Sequence, residues 1–112
     1  IELPERPIGR AVLRLPQVAA ACVSVQVNDG EPHWLGWQPW EVVISEQLTA
    51  GAIRISFDVY SSLRNAFGPL HRRDANELTW VGPEEFEEGE AWTDDYVLRP
   101  YGLLAGAELL LS

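Results

Sequence analysis

Three closely spaced tryptophans are the first group of residues that could bind a ligand. Trp34, Trp37 and Trp40 lie within the segment HWLGWQPW, in which Gly36 and Pro39 indicate an irregular loop. An aromatic face matches the apolar face of a pyranose ring, and the indole N–H can form a hydrogen bond. Trp34 and Trp37 are therefore candidate carbohydrate-binding residues, whereas we expect Trp40 to lie in the core. The alternative is that these rings cap the fold or dock on another domain, since tryptophan is enriched at interfaces.

A second group of polar side chains follows the abrupt end of a strand pattern at Tyr60. The irregular stretch behind it contains the breaker Gly68-Pro69 and carries Arg64, Asn65, His71, Arg72 and Arg73. Arginine offers a bidentate fork, and asparagine offers both a donor and an acceptor. Arg64, Asn65, His71 and Arg72 are therefore further candidate carbohydrate-binding residues. The alternative is that Arg64 and Asn65 satisfy the backbone of their own loop.

An acidic run is the only other concentration of functional groups. It comprises Glu84, Glu85, Glu87, Glu88 and Glu90. Carboxylates can hold calcium, but the run lacks the alternating spacing of a calcium loop, and a solvated face is the alternative. We find no nucleophile motif, phosphate loop or metal triad, and we therefore expect a non-catalytic protein without a cofactor.

Composition restricts the partners of this chain. Among its 112 residues, 17 are acidic and 8 are basic, all of them arginine, which gives a formal charge of −9. Such a surface repels phosphate groups, so nucleic acid and anionic membranes are poor partners. The single cysteine, Cys22, cannot form an internal disulfide. This cysteine content therefore does not assign the protein to a cellular compartment.

Period-two alternation predicts an all-β fold. Core-facing residues are expected at positions Ala11, Leu13 and Leu15; Val23, Val25 and Val27; and Ile53, Ile55, Phe57 and Val59. Asn28-Asp29-Gly30 predicts a turn, and Tyr96–Leu98 and Ala107–Leu111 are expected to be the last strands. Short strands separated by turn signals indicate one antiparallel β-sandwich or jelly-roll domain over residues 1–112.

Three segments resemble the galactose-binding-like jelly-roll modules attached to bacterial glycoside hydrolases. They are GRAVLRLPQVAAACVSVQVNDGEP, LGWQPWEVVI and LTAGAIRISFDVYSSLRNAFGPLHRR. Val25-Gln26-Val27-Asn28 with Gly30 is similar to a V-x-V-N-G strand of that family. Two departures are the inserted Asp29 and Ala52, which stands where asparagine is usual. The closing segments SLRNAFGPLH, VGPEEF and YVLRPYGL are similar to carboxy-terminal modules of large bacterial glycosidase-like proteins.

The resemblance implies a galactose-binding-like fold and a non-catalytic accessory module of a carbohydrate-active enzyme. Such a module is structural or binds carbohydrate weakly. It is expected to come from the carboxy-terminal part of a larger protein, with the catalytic domain of the same chain, and a glycan, as partners. The alternative function is a protein-interaction domain that docks through its tryptophan-rich loop.

Overall fold

A computed structural model describes residues 1–112 and shows a nearly all-β chain, with 32% strand and 7% helix. The strands are β1 (Glu2–Leu3), β2 (Ala11–Arg14), β3 (Val18–Ala19), β4 (Cys22–Val27), β5 (His33–Leu35), β6 (Glu41–Val43), β7 (Gly51–Ala52), β8 (Ile55–Tyr60), β9 (Gly102–Leu103) and β10 (Glu108–Leu111). Helix α1 (Arg64–Phe67) is one turn, and Pro83–Phe86 forms a 3-10 helix. Neither helix has the length and apolar character of a membrane span. The prediction of an all-β antiparallel fold is confirmed.

The chain forms two compact units. The first comprises residues 1–61 and 101–112 and contains every strand, and the second comprises residues 62–100 and contains both helices. Helix α1 ends at Phe67 and is followed by Gly68, whose φ of 86° and ψ of −161° lie in a region that is open to glycine and essentially closed to other residues. A Cβ at this position would lie 2.7 Å from the backbone nitrogen of Leu70.

One sheet of the first unit has the order β10-β2-β6, and all of its strands are antiparallel. Leu13 in β2 pairs with Leu109 in β10 and Val42 in β6. Because side chains alternate along a strand, Ala11 and Leu13 face the core while Val12 and Arg14 face outward.

The other three-stranded sheet has the order β5-β4-β8 and is also antiparallel. Val25 in β4 pairs with His33 in β5 and Phe57 in β8. The predicted turn behind β4 is present: Asn28 has a φ of 51°, and the Gly30 amide donates to the Val27 carbonyl at 3.1 Å.

Both three-stranded sheets contribute to one hydrophobic core. Its buried residues are Ala11, Leu13, Leu15, Val23, Val25, Val27, Ile44, Leu48 and Ile53. Two sheets with a shared interior are the arrangement of a β-sandwich. The jelly-roll and galactose-binding-like topologies stay predictions.

Two predicted strands differ in the structure. The pattern from Ala52 to Tyr60 is divided, since β7 pairs with β1 whereas β8 pairs with β4. Ile53 is fully buried, but Phe57 is only partly buried because β8 is at the edge of its sheet. The strand predicted at Tyr96–Leu98 is wrong, because the Val97 amide instead donates to the Leu70 carbonyl at 2.7 Å in the second unit.

Candidate ligand-binding surface

The outer face of the β5-β4-β8 sheet carries an aromatic and polar surface. Ser24 in the central strand lies opposite Trp34 on one side and Asp58 on the other. Tyr60 lies opposite Cys22 in the next row with the same orientation. These five residues share one face because they occupy alternate positions from the buried valines. We call this face, defined by Cys22, Ser24, Trp34, Asp58 and Tyr60, the aromatic face.

Trp34 reaches this face because its backbone is part of β5. The prediction that all of HWLGWQPW is a loop is therefore wrong for His33–Leu35. The turn at Asn28 folds the chain back so that residues 33–35 pair with β4, and this pairing sets the direction of each side chain. Trp34 is left 61% exposed.

Trp34 and Tyr60 form a pair that spans the central strand. Their ring centroids are 5.6 Å apart and their planes differ by 38°. Since β5 and β8 flank β4, their backbones are separated by roughly 10 Å, twice the usual strand spacing. The two rings must therefore lean toward each other over β4. Ser24 is only 4% exposed although it points outward, in accord with that cover.

Asp58 supplies a carboxylate beside the aromatic pair. The residue is exposed, and the Ser24 hydroxyl donates to its Oδ2 at the long distance of 3.4 Å. Asp58 is not a member of any ion pair, although Arg14, Arg54 and Arg72 each have carboxylate partners. The aromatic face thus combines two apolar ring surfaces with an acceptor that has no cationic partner.

The sequence prediction did not include Asp58 or Tyr60 among the candidate residues. Period-two alternation already placed Asp58 away from the core. The alternation does not give the strand register that brings Tyr60 and Asp58 of β8 next to Trp34 of β5. The Asn28 turn can set the register of β5 on β4, but β8 pairs with β4 across a long stretch of chain, and no local signal indicates that register.

The other two tryptophans have separate environments. Trp37 lies between β5 and β6 and is 81% exposed. Trp40 is partly buried and packs against the hydrophobic core, which confirms its predicted position.

Arg64 and Asn65 make hydrogen bonds to backbone groups of the second unit. Arg64 Nη2 donates to the Val97 carbonyl at 3.1 Å, and its Nη1 is buried without a hydrogen-bond partner. Burial, together with the positive charge of Arg99, lowers the pKa of Arg64. Asn65 Nδ2 donates to the Arg99 carbonyl at 2.7 Å, and the Arg99 amide donates to Asn65 Oδ1 at 2.8 Å. Both side chains therefore hold loop backbone, as the alternative in the sequence analysis describes.

His71 is packed between two aromatic rings of the second unit. Its ring stacks on Trp92 with a centroid distance of 5.0 Å and contacts Tyr96 at 4.9 Å. His71 Nδ1 lies 3.1 Å from the Thr93 carbonyl oxygen. Because a carbonyl can only accept, this geometry assigns the hydrogen to Nδ1. The imidazole thus links residues on both sides of the acidic run.

Arg72 makes a bidentate contact with Asp74. Its Nε and Nη2 donate to the two carboxylate oxygens at 2.6 and 3.1 Å, and its Nη1 lies 3.9 Å from Glu85 Oε1. The hydrogen bond from Arg72 lowers the pKa of Asp74, and the same bond raises the pKa of Arg72. This guanidinium is therefore occupied by acidic partners within its own unit.

A cleft of about 380 Å³ lies in the second unit. Its acidic lining residues are Asp74, Glu84, Glu87, Glu88 and Glu90, and His71, Arg72 and Trp92 also border it. No group of three or more His, Cys, Asp or Glu side chains is placed to hold a metal ion. Trp92 presents one ring face to His71, so the cleft offers less stacking surface than the aromatic face.

The six predicted carbohydrate-binding residues belong to different units. Trp34 and Trp37 are in the first unit, and Arg64, Asn65, His71 and Arg72 are in the second. A single site formed by all six stays a prediction. No family model, curated protein or solved structure matches the chain. The resemblance to galactose-binding-like modules also stays a prediction.

Proposed function

We propose that the chain is a non-catalytic accessory module of a carbohydrate-active enzyme and that it binds glycan weakly through the aromatic face. The observation that supports this function is the exposed Trp34–Tyr60 pair on a hydrogen-bonded sheet. Two tilted rings offer a sugar an apolar surface, and Asp58 can accept hydrogen bonds from hydroxyl groups beside it.

The sheet orders the backbones of Trp34 and Tyr60 before any ligand binds. Trp34 and Tyr60 are held in register by β4, which pairs with both flanking strands. A ligand therefore meets side chains whose backbones are already ordered, which reduces the entropy cost of binding. The face is shallow, however, and each sugar hydroxyl exchanges a hydrogen bond to water for one to protein. We expect dissociation constants of about 1 mM, which correspond to about −4 kcal/mol.

A second candidate role is docking on another protein domain. Trp37, which is 81% exposed, is the observation that favours it. The outer face of the β10-β2-β6 sheet adds a row formed by Leu110, Val12 and Val43, of which Leu110 and Val43 are exposed. An exposed apolar row of this kind is typical of interaction surfaces. This role supports the structural function of an accessory module and does not use the aromatic face.

The proposal is tested by titrating the chain with neutral mono- and oligosaccharides while amide and indole NMR shifts are followed. We expect saturable shifts at Trp34 and Tyr60. Trp34→Ala should weaken binding at least about tenfold, equivalent to about 1.4 kcal/mol, because it removes half of the stacking surface.

Trp80→Ala is a matched control, since Trp80 is 63% exposed and belongs to the second unit. It should leave the affinity unchanged. Trp37→Ala separates the two roles: a loss of sugar binding would place Trp37 in the same site. The absence of shifts across the panel at tens of millimolar sugar, well above the expected constant of about 1 mM, would reject glycan binding and favour docking.

A further inference from the structure

We infer that the aromatic face selects a glycan with a free amino group, such as a chain of 2-amino sugars. This inference rests on the proposed function and adds the chemical class of the ligand. It follows from the combination of the Trp34–Tyr60 pair with Asp58 on one sheet face.

Asp58 is the acidic residue of the aromatic face. Asp58 has the Ser24 hydroxyl as its side-chain hydrogen-bond partner and forms no ion pair. The outward residues of the neighbouring strand β4 are uncharged; they are Cys22, Ser24 and Gln26. With a chain charge of −9, a cationic ligand is attracted to this face and an anionic ligand such as a uronate is repelled.

The two aromatic rings can also attract a cation. The faces of tryptophan and tyrosine attract a cation within about 6 Å of the ring centroid. Trp34 and Tyr60 therefore add to the attraction that Asp58 exerts on an ammonium group. An amino sugar carries both features that the face can bind, because its C–H groups stack and its ammonium group pairs with the carboxylate.

A sugar and a peptide differ in the rotamer freedom that they lose on binding. A lysine side chain also has an ammonium group, but its stem is flexible and loses more rotamer freedom on binding than a rigid pyranose ring. The sugar is therefore the better match for a shallow face with two ordered rings. A lysine-rich peptide becomes the competing ligand in the test.

The experiment compares β-1,4-linked trimers of glucose, glucosamine and N-acetylglucosamine, which differ only at carbon 2. Binding is measured by NMR at pH 6, where an amine with a pKa of about 8 is protonated. We expect the glucosamine trimer to bind roughly two- to fivefold more tightly than the glucose trimer, the range of an exposed ion pair. High salt should remove this preference on the unchanged protein.

Asp58→Asn should reduce the preference to the part that the two rings contribute, while the glucose trimer still binds. Glu46→Gln is the matched control, because Glu46 is exposed, belongs to the first unit and makes no ion pair. It removes one negative charge elsewhere and should retain the preference.

Three results would overturn the inference. Equal affinity for the glucose and glucosamine trimers would reject amine selection while leaving the proposed function intact. A preference that is undiminished in Asp58→Asn would show that Asp58 does not carry it. A trilysine peptide that binds as tightly as the glucosamine trimer would make charge, and not sugar chemistry, the basis of recognition. Failure of every trimer and every neutral sugar to bind would instead reject the proposed function.

Discussion

At the scale of single residues, polar side chains of the second unit are already used by the fold. Arg64 and Asn65 bond backbone carbonyls, and Arg72 is paired with Asp74. A residue-type argument favours arginine and asparagine as ligand-binding groups, but the same donors are needed wherever irregular backbone has no strand partner. The residues that remain available are instead the exposed aromatic groups and the free carboxylate of the aromatic face.

The Arg72–Asp74 pair predicts a pH-dependent contribution to stability. Because Arg72 lowers the pKa of Asp74 in the folded state, the stabilisation is present above the unfolded carboxyl pKa, about 3.8, and is lost as pH falls through the lower folded pKa. Asp74→Asn should therefore destabilise the protein at pH 6, and the difference from the wild type should shrink as pH falls below 3.8. Denaturant titrations at a series of pH values measure this difference.

The control for this experiment is Asp95→Asn, which makes the same change at an exposed residue without an ion pair. The difference in stability between Asp95→Asn and the wild type should not shrink as pH falls. A constant difference between Asp74→Asn and the wild type across the pH range would contradict the assigned role of the pair.

At the scale of elements, β8 serves both the core and the aromatic face. Its inward residues Ile55, Phe57 and Val59 pack against the core, while Asp58 and Tyr60 lie on the outer face. The strand is at a sheet edge, which explains why these inward side chains are less buried than Val23 and Val25. The strand β8 must therefore be ordered for Asp58 and Tyr60 to hold their positions on the aromatic face.

Phe57→Ala tests the register of β8. We expect a loss of about 3 kcal/mol in the free energy of unfolding, near the lower end for Phe→Ala, because Phe57 is partly buried and faces Val25. Phe67→Ala is the control, since Phe67 is exposed in α1 and should change stability by less than about 0.5 kcal/mol. Equal effects of the two substitutions in denaturant titration would be inconsistent with this register.

At the scale of the whole molecule, charge is the dominant compositional feature. The chain carries −9, and the acidic cleft concentrates Glu87, Glu88 and Glu90 in the second unit. Like charges repel one another and destabilise a compact state. Arg72 offsets part of this repulsion because it forms ion pairs with Asp74 and Glu85. The remaining carboxylates favour solvent and keep anionic partners away.

This charge predicts that salt stabilises the protein. Raising the salt concentration from about 0.01 M to about 1 M shortens the screening length from about 30 to about 3 Å. We expect the melting temperature to rise by a few degrees, as for a gain of about 1 kcal/mol. Replacing Glu87, Glu88 and Glu90 by Gln should raise it at low salt and reduce the response to salt. A salt response as large in this variant as in the wild type would contradict this origin of the effect.

The class of the fold and most of its core residues follow from the sequence alone. Alternation at period two is a local property, so Ala11, Leu13, Val23, Val25 and the turn at Asn28 could be predicted without any knowledge of their partners. Trp40 was also expected in the core, and it packs against it. Tyr96–Leu98 has a strand-like composition but forms no strand, and the Val97 amide donates to the Leu70 carbonyl instead.

The set of side chains that share a surface depends on the tertiary structure. Trp34 and Tyr60 are 26 positions apart in the sequence, and their contact depends on the register of two strands with β4. Likewise, hydrogen-bond partners such as Arg99 for Asn65 and Val97 for Arg64 lie more than 30 positions away. Local patterns determine the direction of a side chain along its strand. The neighbours of that side chain depend on long-range pairing, which one sequence does not specify.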